Sequence, residues 1–298
     1  MQPLGYAPAP VLHSRRAFVL GGTALLASAC RIGGASRTPT GPTHAIYDAA
    51  GASSTLAAFA ESCADADVIA FGELHGHEVG SALQLELLQT LFTQSRPVAL
   101  AMEFFEADTQ PDIDAYLAGE IDEPTFRSKT KRDEAYATSH CPLVELCRER
   151  GARVIAANAP RPLVIAYRKS SLDYAAYLAT LTDDQRALMP TSSVPPHDEH
   201  ERRFMKMMGP VRGPAFFKSM ALWNDAMAES VVRARADDPR TRVLLIVGTF
   251  HVAARLGTIT QITARSPDAS IRLLTMRNGG TAWRASDAGE GDLVVCVD

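Results

Sequence analysis

Val68-Ile69-Ala70-Phe71-Gly72-Glu73-Leu74-His75 is a short β-branched and aromatic run that ends in glycine and then sets a carboxylate and an imidazole two residues apart. Too short for a helix and apolar at successive positions, it predicts a strand buried on both faces. A second run, Val243-Leu244-Leu245-Ile246-Val247, leads into Gly248-Thr249-Phe250-His251 and repeats the Gly-x-x-His spacing. Strands of this kind belong to parallel sheets, and open α/β sheets bind their ligands beyond the carboxyl ends of the strands. Both histidines fall at such ends, so two distant segments predict one bipartite site.

Outward from these runs, apolar and amphipathic stretches alternate: strand near 68–73, helix 78–94, strand 97–103, helices from 108 to 149, strand 153–158. Arg242–Val247, Ile271–Met276 and Leu293–Val297 add three more strands. Between Pro160 and Pro239 the spacing is helical, as in Leu172, Tyr174, Ala175, Leu178 and Leu181, and again in Phe216, Met220, Trp223, Met227 and Val231. The expected fold is α/β, a mostly parallel central sheet flanked by helices, with a helical insertion at about 160–240.

The amino terminus reads as an address. Ser14-Arg15-Arg16-Ala17-Phe18-Val19-Leu20 is a twin-arginine pattern, and the apolar stretch after it is broken by Gly21 and Gly22. It falls short of the roughly twenty apolar residues of a membrane-spanning helix. Ala27-Ser28-Ala29-Cys30 resembles a bacterial lipobox, which predicts export to the cell envelope and a lipid anchor on Cys30, inner and outer membrane being equally compatible; the alternative is an ordinary cleaved signal. Residues 1–30 are thus read as signal, 31–50, rich in Gly, Pro, Ser and Thr, as a flexible tether, and 51–298 as one α/β domain. With 34 acidic against 30 basic residues, two of the latter in the signal, the charge offers no footing for nucleic acid. Cys63, Cys141, Cys147 and Cys296 lack zinc-knuckle or Cys-x-x-Cys spacing and read as buried free thiols, although an exported chain could pair them.

Chemistry-bearing residues collect at the strand ends. Glu73 and His75 project to the same side if the chain stays extended, while His77 and Glu78 open the next helix. Met102-Glu103 closes the next strand with an acid facing the same cleft, and Glu106 is either a further site acid or a first-turn acid. Asn158 and Arg161 close the third: Arg161 either clamps a ligand carboxylate or phosphate or pairs with a neighbouring acid, and Asn158 either meets a ligand or satisfies turn backbone. His251 completes the set above Gly248, whose lack of a side chain leaves room beneath the site. Two imidazoles and one or two carboxylates fit either a divalent-metal site of His75, His251 and Glu103 or acid/base catalysis by Glu73, His75, Glu103 and His251. His197 and His200, at i and i+3, read as a solvated helix start.

These residues give the chain its likeness to a family. Val68–His75, Ala101-Met102-Glu103-Phe104-Phe105-Glu106, Gln110, Ala156–Pro160, Asp225-Ala226-Met227-Ala228 and Gly248–Val252, in this order, resemble the ChaN-like haem-binding lipoproteins, part of a superfamily with the Tiki peptidases and erythromycin esterases. The resemblance implies a lipid-anchored envelope protein that binds haem for iron uptake, the haem held by a tyrosine at the interface of a homodimer. None of Tyr116, Tyr136, Tyr167, Tyr174 or Tyr177 is marked as that ligand by its surroundings. The superfamily's hydrolases imply the alternative, a metal-dependent or acid/base hydrolase of esters or peptides using Glu73, His75, Glu103 and His251. Asp225, about 200° around its helix from Trp223, is placed at the cleft rim, where it would orient a histidine or help hold a cofactor.

Overall fold

The computed structural model describes residues 44–298, so the expected signal, the expected lipidation of Cys30 and the expected tether as far as residue 43 lie outside the described residues. Val68–Glu73 and Arg242–Gly248 are buried at every position, the state their unbroken apolar runs require. The strands are β1 (His44–Asp48), β2 (Val68–Glu73), β3 (Val98–Glu106), β4 (Val154–Asn158), β5 (Arg242–Gly248), β6 (Ile271–Arg277) and β7 (Leu293–Val297). They form one sheet in the order β1-β7-β6-β2-β5-β3-β4, parallel except for β1. The helices are α1 (Leu56–Ser62), α2 (Glu78–Thr93), α3 (Gln110–Leu117), α4 (Glu123–Lys129), α5 (Glu134–Ser139), α6 (Cys141–Arg150), α7 (Arg161–Lys169), α8 (Tyr174–Ala179), α9 (Asp183–Ala187), α10 (Asp198–Asp237) and α11 (Thr258–Arg265).

Alternate side chains of each strand feed two separate cores. Ile69 and Phe71 face one side with Leu87, Leu91 and Leu143 of α2 and α6. Val68 and Ala70 face the other, against Met227 and Val231 of α10 and Ile259 and Ile262 of α11. The expected insertion is α7 to α10, with a core of its own around Val164, Tyr174, Tyr177 and Leu222. Within α10 the helix breaks at Gly209, which takes φ 77°, and Pro210 follows without an N–H to continue the ladder. Among the described residues no helix is long and apolar enough to cross a membrane.

Two findings depart from the sequence reading. The stretch expected as tether, 31–50, contains β1, whose His44 to Asp48 pair antiparallel with Val297 to Leu293. His-Ala-Ile-Tyr-Asp has no alternation strong enough to announce a strand, and its partner lies at the far end of the chain. The second departure is that β3 continues to Glu106, past the expected end at Glu103. Its register on β4 shifts there, Met102 facing Ala156 and Glu106 facing Asn158, so four steps on one strand match two on the other. Such irregularities bend a strand and re-aim its side chains, and this one carries Glu103 and Phe104. The four cysteines among the described residues are free, as read.

The outer strand β4 is closed by side chains. Gln110 donates Nε2 to the Val154 carbonyl at 2.9 Å and accepts the Ala156 N–H at 2.7 Å, and Ser230 donates to the Ala157 carbonyl. An amide thus stands in for a neighbouring strand and blocks edge pairing with another chain.

Candidate functional site

The order of the sheet puts β2, β5, β3 and β4 side by side, so their carboxyl ends form one edge. Residue Glu73 faces Gly248 in the β2–β5 register, which brings the two Gly-x-x-His turns together. Thr249 ties them further by donating its hydroxyl to the Gly72 carbonyl at 3.1 Å and accepting the Met276 N–H at 3.2 Å.

Glu73, 4% exposed, is the hub of the first turn. It accepts hydrogen bonds from His75 Nδ1 at 3.0 Å, Gln84 Nε2 at 2.6 Å and His140 Nε2 at 3.1 Å. Burial alone would raise its pKa, but the His140 and His75 bonds and charges and the Gln84 amide outweigh it and bring the carboxyl down to about 2. His75 is raised from its ordinary value, first by its bond to Glu73 and then, against some desolvation, by Glu103. His140 was not anticipated. It sits at the junction of α5 and α6, where Ser-His-Cys-Pro carries no periodic signal, and Phe104 stacks on its ring at 3.9 Å while meeting the His75 ring edge-on at 5.5 Å.

The second turn builds a longer chain. His251 Nδ1 donates to Asn224 Oδ1 at 2.6 Å, an oxygen that also accepts from Thr258 Oγ1 at 3.0 Å, which leaves His251 Nε2 facing Glu103 Oε1 at 3.4 Å. Glu103 Oε2 accepts the Gly248 N–H at 2.6 Å. Desolvation again works to raise this carboxyl and is outweighed by His251, the Gly248 N–H and His75, so Glu103 is held ionised below its ordinary value. A Cβ on Gly248 would lie 2.9 Å from Cε1 and Nε2 of His75 and 3.5 Å from Glu103 Oε2. The missing side chain therefore lets His75 lean over the strand end between Glu73 and Glu103. One centre results: Glu73 with His75 and His140 on one side, Glu103 with His251 and Asn224 on the other.

The residues expected to hold a cofactor have other partners. Asn158 braces the turn, donating Nδ2 to the Glu103 carbonyl and accepting the Ala159 N–H. Arg161 pairs with its neighbouring acid: its N–H reaches Glu106 Oε2 at 3.0 Å and its Nε lies 3.7 Å from Glu106 Oε1, while its guanidinium sits over Trp223. Asp225 orients no histidine. Fully buried, it accepts from Ser193 Oγ, the Val194 N–H and Arg265 at 2.7 Å, fastening α10 and α11 to the segment before α10. The residue that orients a histidine is Asn224, one position earlier and about 100° around the helix. His197 caps α10 by accepting the Glu199 N–H, but His200 is buried rather than solvated, donating to the Phe250 carbonyl, and burial together with nearby His251 lowers its pKa to about 4. The divalent metal expected at His75, His251 and Glu103 finds no support: among the described residues no group of three or more His, Cys, Asp or Glu is placed to hold an ion. Glu73 and Asn224 hold the two rings through Nδ1, and Glu103 turns its oxygens to Gly248 and His251.

An α/β sheet with a helical insertion and paired Gly-x-x-His turns defines a recognisable class. Residues 59–262 match the family described as haem-binding uptake, Tiki superfamily, ChaN, and the chain belongs to that family. A structure described as cofacial heme binding to ChaN of Campylobacter jejuni is similar over 86% of this chain and 97% of that one, with a TM-score of 0.65 at 15% identity, the same fold. An erythromycin esterase EreC mutant in its open conformation (TM-score 0.47, 12% identity, 76% and 72% covered) and the type III effector HopBA1 (0.46, 12%, 80% and 91%) are more distant. No curated protein matches the chain.

Glu73 makes the protein's acid stability testable. Its folded pKa lies below the unfolded one, so its ion contributes stability that is fully present above about pH 4.5 and is lost as the pH falls toward 2. We expect Glu73→Gln to lower stability at neutral pH by about 3 kcal/mol and to flatten the fall of the thermal midpoint across that window. Parallel pH–melting curves for the two proteins would refute the assignment.

Proposed function

We propose that this chain is a haem-binding protein of the cell envelope that serves iron uptake. Its family membership across residues 59–262 carries the reading. The helical insertion offers a place for the ligand. Among the described residues, Tyr47, Tyr116, Tyr174 and Tyr177 donate their hydroxyls to Thr281, Glu145, Pro190 and Leu163, and Tyr136 is buried. Tyr167 is partly exposed and has no such bond. Beside it, Arg168 lies 4.4 Å over Phe216, and Leu172, Met207, Val211 and Phe216 are the large apolar side chains left exposed among the described residues. Exposed apolar side chains, a phenol and a guanidinium fit a porphyrin face, a ferric iron and a propionate. The expected role of Arg161, Asn158 and Asp225 thus passes to Tyr167 and Arg168. Following the cofacial binding described for the Campylobacter protein, two copies would meet across this surface.

Burial and the nearby Asp173 and Asp225 raise the Tyr167 phenol above its ordinary pKa, so iron must displace a proton to bind there. Hemin affinity should rise with pH, by up to about tenfold per unit. Titration of hemin into residues 44–298 should give a saturable Soret shift. Tyr167→Phe should weaken binding at least about tenfold and abolish its pH dependence, whereas Tyr174→Phe leaves both intact; equal behaviour of the two variants would exclude Tyr167 as the ligand.

Export and anchoring follow from the amino terminus. The twin-arginine pattern and Cys30 make this a lipoprotein whose domain is tethered by the segment after Cys30. Cys30→Ser should abolish palmitate labelling and release the protein from the membrane fraction; labelling that persists removes the anchor.

A second reading rests on one observation that haem at Tyr167 leaves unused, the paired carboxylates and imidazoles at the sheet edge. With Nδ1 donating to Glu73, His75 keeps Nε2 free on a side chain that is 61% exposed. That nitrogen can take a proton from water attacking an ester or amide, and Glu73 stabilises the imidazolium formed. Activity on an ester and peptide panel should rise as the pH climbs through the elevated His75 pKa and vanish in His75→Ala. An inert wild type across the panel rejects this reading.

A further inference from the structure

A cavity of about 290 Å³ opens over the first half of the centre, between Glu73, His75 and His140 on one side and the loop from α4 to α5 on the other. Its volume sits at the small end of ligand pockets, roughly 300 Å³ and up, and suits a small molecule rather than a macrocycle. Its charges are unevenly satisfied. Both acids are engaged: Glu73 accepts from His75, His140 and Gln84, and Asp133 caps α5 by accepting the Tyr136 N–H at 3.2 Å. The two cations are not. Arg132 gives Nε to the Thr130 carbonyl and rests 5.3 Å over the Phe105 ring, and among the described residues neither its terminal nitrogens nor Lys131 Nζ has an acid in ion-pair range.

The loop is held so as to present them. Lys131 takes φ 56°, a left-handed conformation that lysine has no intrinsic reason to adopt. Surrounding bonds enforce it: Arg132 N–H to the Arg127 carbonyl at 2.8 Å, Lys131 N–H to Ser128, and the Arg127 guanidinium to the Asp133 carbonyl. These are the bonds of a left-handed C-cap that closes α4 and sets both side chains at its end.

We propose that this cavity binds a small ligand through a carboxylate or phosphate group, gripped by Lys131 and Arg132 opposite the imidazoles of His75 and His140. Unpaired guanidinium and ammonium groups recognise such oxyanions by charge-assisted hydrogen bonds. The proposal is independent of haem at Tyr167. It gives the hydrolytic reading a substrate class, yet it concerns binding, so an absence of turnover does not count against it.

The probes are inorganic phosphate and succinate, titrated into residues 44–298 and followed by the imidazole proton resonances of His75 and His140. Saturable shifts with a dissociation constant in the millimolar range or tighter support the site, and the tighter probe names the group. Lys131→Gln with Arg132→Gln should weaken binding at least about tenfold without changing hemin affinity. Lys129→Gln removes one positive charge from a neighbouring side chain paired with Asp112 and should leave binding unchanged. Three results overturn the proposal: no saturable shift in the wild type, equal weakening by Lys129→Gln, or a parallel loss of hemin affinity, which would make the anion a haem propionate. Should the double variant fold poorly, Arg132→Lys, which keeps the charge, must retain binding that Arg132→Gln loses.

Discussion

The parallel pairing of β2 with β5, Glu73 opposite Gly248, is the constraint on which the site depends. About 170 residues separate the two strands, and the chain reaches β5 only after building β3, β4 and the helical insertion. The return stroke slots β5 between β2 and β3, so Glu103 arrives beside Gly248 and can accept its N–H. A one-residue slip in this register would turn each side chain of β5 to the opposite face and exchange the two cores. Burial of both faces makes that slip prohibitive, and the Thr249 hydroxyl on Gly72 pins what packing has already chosen.

Two carboxylates a short distance apart are kept ionised by different means. Glu73 is surrounded by three side-chain donors, two of them imidazoles, in a pocket nearly closed to solvent. Glu103 relies on one backbone N–H and on His251, which Asn224 holds in a single orientation. His75 lies between them and feels both charges, which is why its basicity rises while it stays open to solvent. The arrangement leaves His75 as the member open to solvent, with the others largely buried around it.

The helical insertion and the sheet-edge centre are different parts of the fold. The insertion packs Tyr167 on a core of its own and leaves Met207, Val211 and Phe216 exposed along the broken α10. The edge of the sheet offers a small polar cavity lined by charge. The chain belongs to the haem-uptake family, and the sheet-edge centre lies apart from the insertion.

Six of the seven strands, their mostly parallel direction and the four residues Glu73, His75, Glu103 and His251 at the sheet edge were legible because each signal is local: unbroken apolar runs mark doubly buried strands, and a polar residue just past such a run must stand at the sheet edge. The insertion was legible from its helical spacing for the same reason. Partners that come from elsewhere were not. His140 reaches Glu73 across 67 positions and Asn224 reaches His251 across 27, with no periodicity to announce either. Reading Asp225 as the residue that orients a histidine missed Asn224 by one position, since helix pattern gives a face only to within the 100° between neighbours. β1 escaped because an edge strand with weak alternation becomes a strand only when β7 supplies its hydrogen bonds. The sequence by itself determined which residues stand at the carboxyl edge, because burial dictates that from local composition. The tertiary structure alone decided what each of them touches, because hydrogen bonds and ion pairs are set by distances between segments that only folding brings together.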